Sequence, residues 1–415
     1  MWYLAVANTS TTALTDIRLD YELKGRKKVR FLIDVPPGGA LDTLWLPASL
    51  RQKLAVQLVR NGQTTLWSGI LPIAPPRCET VTIPRSPILQ TSDFAPLSVR
   101  GTNYYPPRAP WSGLWQQTTA QEWQTQFAQM AALNVNAVRT FYLGLEAPTL
   151  QAPDASYLPP MIAKISAFLA VAAQHHIKVM LCLDGGGGPE MSDLPAWKRR
   201  FRSGVEPFID DGRVLMWDLI NEPGGSKGPK SSPALIRWLQ TLSPFLQSLD
   251  CNHLDTVGLT WQFDQLWDLG IRPDVGQYHN YSGAIGLPVT GDATVRNVKT
   301  DLESVIANYT QKRPLLIGEF GFPSATGSEK TAAEREAALE KQLSITRWVL
   351  QGAEAARIAG VMNWCAFEFA PEWMGASEKS FGVIRLDGSL KPAGIVLRDT
   401  YARWKTQSPA SWDAR

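Results

Sequence analysis

Hydrophobic and polar residues alternate one by one along the first ninety residues of the chain. Ile17, Leu19, Tyr21 and Leu23 stand between Arg18, Asp20 and Glu22. Val29, Phe31, Ile33 and Val35 repeat the pattern, as do Leu54, Val56 and Leu58. A period of two sends successive side chains to opposite faces, burying one face and wetting the other, as in antiparallel sheets. Asn61-Gly62 lies between two such runs, and both residues tolerate the positive φ of a tight hairpin. Short strands at this spacing predict a small all-β sandwich over residues 1–90, with Ile83-Pro84-Arg85-Ser86-Pro87 as the linker out of it.

From about residue 95 the pattern changes to short apolar runs separated by longer amphipathic stretches. Thr119-Ala120-Gln121-Glu122 has the form of a capping box, and Trp123, Phe127 and Met130 behind it share one helical face. Strands are expected at Val99–Asn103, Ala137–Phe141, Lys178–Asp184, Val214–Ile220, Thr256–Thr260, Val275–Tyr278, Pro314–Gly318 and Gly360–Ala366. Helical stretches fill most of the gaps, most clearly at 158–176, 233–250 and 331–359. Eight β-then-α units predict an α/β fold, a (β/α)8 TIM barrel over residues 91–415.

Composition narrows the partners. The 415 residues are 44% hydrophobic and 19% charged, a balance suited to a packed globular chain. With 41 basic and 38 acidic residues the net charge is only +3, which gives no reason to expect nucleic acid or a membrane surface as partner. The four cysteines, Cys78, Cys182, Cys251 and Cys365, form no CxxC pair, so neither a zinc site nor a disulfide framework is expected, and Cys182 and Cys365 read as buried thiols. Met1-Trp2-Tyr3-Leu4 leads almost directly into strand-like sequence without a basic leader segment. That start is expected of a cytoplasmic chain, or of a secreted or periplasmic one whose signal peptide has been removed.

The chemistry of such a barrel sits at the carboxyl ends of its strands. The fourth run closes on Asn221-Glu222-Pro223 and the seventh on Gly318-Glu319-Phe320-Gly321. A glutamate closing a buried strand is costly unless it is paired or functional, and glycines beside it let another group approach closely, here expected to be substrate. Two carboxylates across a barrel mouth suit glycoside hydrolysis, in which one protonates the departing oxygen and the other attacks the anomeric carbon. The acid is expected to have a raised pKa, supplied by burial and by the second carboxylate.

At these positions residues 95–405 resemble the clan A glycoside hydrolases, most closely family 5. The resemblance rests on Arg139 at the second strand, Asn221 and Glu222 at the fourth, His279-Asn280-Tyr281 after the sixth, Glu319 at the seventh and Trp364 at the eighth. It implies a retaining β-glycosidase with Glu319 as nucleophile and Glu222 as general acid/base, using no metal or cofactor. Arg139 and Tyr281 would hold Glu319 ionised, Asn221 would bond the sugar 2-hydroxyl, His279 would orient Glu222, and Trp364 would floor the sugar subsite. Asn103, Tyr104, Asp184 and Trp261, with Glu368 and Trp373, are further candidate substrate contacts near strand ends. One position departs from the family: many members have a histidine after the third strand, where this chain has Asp184 and then four glycines. The expected partner is an oligo- or polysaccharide, with a lean to β-glucan. A transglycosylase on the same site and an inactive carbohydrate-binding barrel are the alternatives.

Overall fold

The computed structural model describes residues 89–142, 150–185, 189–260, 263–281 and 313–413, short pieces between 296 and 304, and six N-terminal strands. The chain divides into two compact units, Met1–Pro84 and Arg85–Arg415. In the first, β2 (Ile17–Leu23), β3 (Arg26–Phe31), β5 (Leu54–Arg60) and β6 (Thr64–Leu71) form an antiparallel sheet in the order β3-β2-β5-β6. β1 (Trp2–Ala7) pairs with β4 (Leu41–Leu46). Arg60 lies opposite Thr64, so the chain reverses where a hairpin is expected. Asn61-Gly62 itself, like Ile33, Val35 and the linker, lies outside the described residues.

The second unit is a closed barrel of parallel strands. They are β7 (Val99–Asn103), β8 (Ala137–Phe141), β9 (Lys178–Cys182), β10 (Val214–Asn221), β11 (Asp255–Leu259), β12 (Gly276–Asn280), β13 (Leu315–Phe320) and β14 (Gly360–Asn363). β14 returns to pair with β7, placing Gly360 opposite Val99 and completing the ring. All eight coincide with expected strands, although β14 stops at Asn363 and β12 runs on to carry His279 and Asn280.

The helices form where capping and apolar spacing coincide. Thr119 and Glu122 cap the helix Ala120–Ala132 reciprocally, and Trp123, Phe127 and Met130 turn their shared face inward. That face meets the helix Pro159–Gln174, whose Phe168 packs edge-on against Trp115, Trp123 and Phe127 with ring centroids 5.1–5.4 Å apart. Such edge contacts add about 0.5–1.5 kcal/mol each beyond the area they bury. The floor of the barrel is sealed by Val99, Ala137, Met180, Leu215, Leu316 and Met362, capped by Phe94 and Trp412. Arg100 ties this end to the C-terminal segment through Asp413 at 2.8 Å. With the floor closed and packed, polar inward-facing side chains concentrate at the opposite, carboxyl end.

Cys182 and Cys365 are buried free thiols, as expected, and burial pushes both thiols well above their ordinary pKa. Cys251 is disulfide-bonded, against the expectation from cysteine spacing. Among the described residues no helix is long and apolar enough to cross a membrane.

Candidate active site

The site is built around Arg139, whose side chain is fully buried at the end of β8. A buried guanidinium needs several acceptors, and this one has four. Its Nη1 donates to Glu319 Oε1 at 2.6 Å and to Asn103 Oδ1 at 3.0 Å. Its Nε donates to Asp218 Oδ2 at 2.7 Å, and its Nη2 to Asn221 Oδ1 at 2.7 Å. Burial opposes the charge on Arg139, but Asp218 and Glu319 outweigh it and raise the guanidinium pKa further.

Glu319 is the buried carboxylate of the pair. Arg139 holds one oxygen, and the Tyr281 hydroxyl donates to the other at 2.8 Å. The Tyr281 pKa lies well above its ordinary value, through burial first and the Glu319 charge second, so the hydroxyl stays a donor. Glu222 is the open one: its side chain is 30% exposed, against 7% for Glu319. It follows a register shift in β10 between Asp218 and Asn221, and its backbone φ is +43°. A bulge and a left-handed non-glycine residue both re-aim a side chain at a local energetic cost. Here they deliver Glu222 to His279, whose Nδ1 lies 2.8 Å from Glu222 Oε1.

The expected upward pKa shift of Glu222 is not found. Burial raises it, but the His279 hydrogen bond, then the charges of His279 and Arg139, bring the net direction below the ordinary carboxylate value. One oxygen of Glu222, one of Glu319 and a ring nitrogen of His279 all lie within 4.8 Å of one another. Such a trio has the donor types to bind a divalent cation, but one there would compete with the guanidinium already on Glu319. For glycoside hydrolysis, carboxyl groups about 5–5.5 Å apart allow direct attack by one of them, whereas about 6.5–9.5 Å leaves room for an intervening water. The pair falls on the short side.

Around this centre the structure sorts the remaining expectations. Trp364 is half-buried at the mouth, its Nε1 donating to Glu378 Oε1 at 3.1 Å. Burial and the charge of Glu319 raise the Glu378 carboxyl pKa, against the bond from Trp364. Asp184 is buried at the end of β9, and its carbonyl accepts from the Asn221 backbone. Asn103 is fully buried, bonding the Gly318 carbonyl through its amide nitrogen and Arg139 through its amide oxygen.

Tyr104 is fully buried away from the catalytic pair's hydrogen-bond network. It points into the helix layer, bonding Gln126 and packing on Phe127 and Phe168. Its neighbour Tyr105, turned the other way, stacks on Phe141 and Trp111 and meets Trp364 edge-on. Glu368 is ion-paired to Lys391 at 2.7 Å. Trp373 is 70% exposed and packs edge-on to Trp111. Trp261 and Gly186–Gly188 lie outside the described residues.

The glycines beside Glu319 serve the protein and not a ligand: a Cβ on Gly318 would strike Gln277 Cγ at 2.4 Å, and one on Gly321 the Trp364 carbonyl at 2.2 Å. Three residues at the centre were not singled out from sequence, namely Asp218, Gln277 and Glu378. The first two had a signal, since each is a polar residue inside an apolar strand.

Comparison with known proteins is in keeping with this geometry. The model of the cellulase family, described as glycosyl hydrolase family 5, matches residues 93–354. Mannan endo-1,4-beta-mannosidase 2 of Oryza sativa subsp. japonica is 38% identical over 61 residues, 15% of this chain and 13% of that protein. Mannan endo-1,4-beta-mannosidase A of Podospora anserina is 26% identical over 145 residues, 31% of this chain and 37% of its own. The matched stretches thus take in little more than a third of those relatives at most. Among solved structures, the exo-beta-1,4-mannosidase Op5Man5 from Opitutaceae bacterium strain TAV5 superposes with a TM-score of 0.63 at 18% identity, over 79% of this chain and 63% of that one. That likeness is one of fold.

Proposed function

Since the chain belongs to glycosyl hydrolase family 5, we propose that it is a retaining β-glycosidase that cleaves β-mannosidic linkages by double displacement. Glu319 is the nucleophile and Glu222 the general acid/base. The observation that carries the reading is the pair itself, two carboxylates within 4.8 Å of each other in unlike surroundings. Glu319 is held by the Arg139 guanidinium on one oxygen and by the Tyr281 hydroxyl on the other. Glu222 is the more exposed, as a group must be that meets first a leaving group and then water.

In the first step Glu319 attacks the anomeric carbon while Glu222 gives its proton to the departing oxygen. In the second, Glu222 takes a proton from water, which displaces Glu319 from the sugar. Arg139 suits both states, because Asp218 still balances its charge when Glu319 is esterified. Asn221 accepts from Arg139 through Oδ1, which leaves its amide NH2 to bond the sugar 2-hydroxyl. Trp364 offers a ring face to the apolar side of the pyranose. No metal is required, since proton transfer and attack are complete with the two glutamates.

For substrate, the lean to β-glucan has no support from the relatives, and mannan replaces it because the two curated relatives described above are named as mannan endo-β-mannosidases. The proposal extends to the domain plan: a β-sandwich over residues 1–90 precedes the catalytic barrel of 91–415. The test is a panel of β-1,4-manno-, β-1,4-gluco- and β-1,3-gluco-oligosaccharides of graded length. Expected is a kcat/KM at least about tenfold higher on the manno series, a difference of about 1.4 kcal/mol at the transition state. A preference for either gluco series would overturn the substrate assignment and leave the catalytic pair standing.

A further inference from the structure

One buried side chain beside the catalytic pair has no part in the chemistry above. Gln277 is fully buried on β12, two residues before His279. Its amide nitrogen lies 3.1 Å from Asp218 Oδ2 and 3.3 Å from His279 Nε2. Its amide oxygen has no partner among the described residues. Leaving a buried acceptor empty is costly, so something must hold the amide this way round. Asp218 does: it is paired with Arg139 at 2.7 Å, and turning the amide over would set the amide oxygen against a carboxylate oxygen. The slot is also closed around this contact. A Cβ on Gly258 would fall 2.6 Å from the Gln277 amide nitrogen and 2.8 Å from His279 Nε2, and one on Gly318 would strike Gln277 Cγ.

An NH2 group facing Nε2 needs a lone pair there. A proton on Nε2 would point at another donor, so Nε2 stays bare and the ring proton sits on Nδ1. We propose that Gln277 is a positioning residue that fixes His279 as the neutral Nδ1–H tautomer, held in turn by Asp218. This inference rests on the reading of Glu222 as the acid/base. Nδ1–H donates to Glu222 Oε1 whether or not Glu222 is protonated, so the catalytic proton is confined to Oε2. His279 also cannot take that proton for itself, because Nδ1 is already occupied. A neutral imidazole pulls the Glu222 pKa down less than an imidazolium in the same place would, so Glu222 keeps its proton to higher pH. Among the described residues, the other ionisable groups around the ring are Glu319, 3.7 Å from Nδ1, with Arg139 and Tyr281 bonded to Glu319 and Asp218 bonded to Gln277.

The test has two arms. In the wild-type enzyme, the imidazole 15N signals of His279, identified among the four histidines by their loss in His279→Asn, should show Nδ1 protonated and Nε2 bare from about pH 5 to 8. An Nε2–H tautomer, or an imidazolium in that range, would overturn the proposal whatever the role of Glu222. In Gln277→Met, which keeps length but has no donor, Nε2 is free to protonate against the nearby carboxylates. The imidazolium should then appear in that range, and the basic limb of the kcat/KM profile should move down by about one pH unit, a tenfold change in the proton equilibrium. A uniform fall in kcat with an unmoved basic limb would mean that Gln277 only packs, and would sink the idea. Failure of the Glu222 reading would show separately, as a Glu222→Ala enzyme that retains its activity.

Discussion

Glu319→Ala is expected to fold and to lose kcat on its best glycan by on the order of 10⁴-fold or more, as removal of a covalent nucleophile does elsewhere. At about 1.4 kcal/mol per decade, that is a loss of more than about 5 kcal/mol of transition-state stabilisation. Folding should survive, because the truncation does not strand the buried guanidinium: Arg139 keeps Asp218, Asn103 and Asn221. The truncation leaves a space beside Arg139 and the Tyr281 hydroxyl, a pocket that favours a small anion. Azide should therefore restore part of the turnover on an activated aryl glycoside. With no glycosyl-enzyme formed, the product should be the α-glycosyl azide. Wild-type turnover in this variant, or a rescued product of β configuration, would remove Glu319 from its role.

Glu222→Ala should fail in a different way, because Glu222 moves protons to the leaving group and from water, whereas Glu319 makes and breaks the bond to the sugar. A missing general acid matters in proportion to how much the leaving group needs a proton. Loss of about 10²–10⁴-fold is expected on natural glycans, whose leaving group is an alkoxide, and far less on aryl glycosides with acidic phenols. On the latter, the first step survives and the second is starved of its base. The glycosyl-enzyme should accumulate, giving a burst of phenol followed by a slow phase and a lowered KM. Azide, needing no base, should attack that intermediate and yield the β-glycosyl azide, the opposite anomer to that from Glu319→Ala. Equal losses on good and poor leaving groups would show that Glu222 is not the acid.

Much of this arrangement is legible along the chain, for a physical reason. A parallel barrel buries both faces of each strand, so its strands read as short apolar runs, and the residue that closes each run stands at the mouth. That marks Asn221, Glu222 and Glu319 as strand-end residues, whereas Arg139, His279, Tyr281 and Trp364 stand out only through the resemblance to family 5. What the sequence does not carry is direction. Tyr104 and Tyr105 are adjacent and equally aromatic, and one residue of pleat decides that Tyr105 meets Trp364 while Tyr104 enters the helix layer. Asn103 closes its strand as Asn221 does, yet it turns behind Arg139.

Long-range partnership is equally hidden. Asp218 is visible as a charge inside the run Val214 to Ile220, but its need for Arg139 follows only once β8, β9 and β10 stand side by side. Gly318 and Gly321 signal a close approach, and only packing shows that the approaching groups are Gln277 and the Trp364 backbone. The pKa of Glu222 differs from expectation for the same reason: burial is readable from the strand, whereas the His279 contact and the Arg139 charge that together outweigh it come from β12 and β8.

The stereochemistry of the first product bears most directly on the catalytic pair. Hydrolysis of the preferred β-linked substrate should be followed by 1H NMR from the first minutes, before mutarotation mixes the anomers. Double displacement through Glu319 inverts the anomeric carbon twice, so the β-anomer should appear first and decay toward the equilibrium mixture. Release of the α-anomer first would mean a single displacement by water, and would contradict a nucleophilic Glu319.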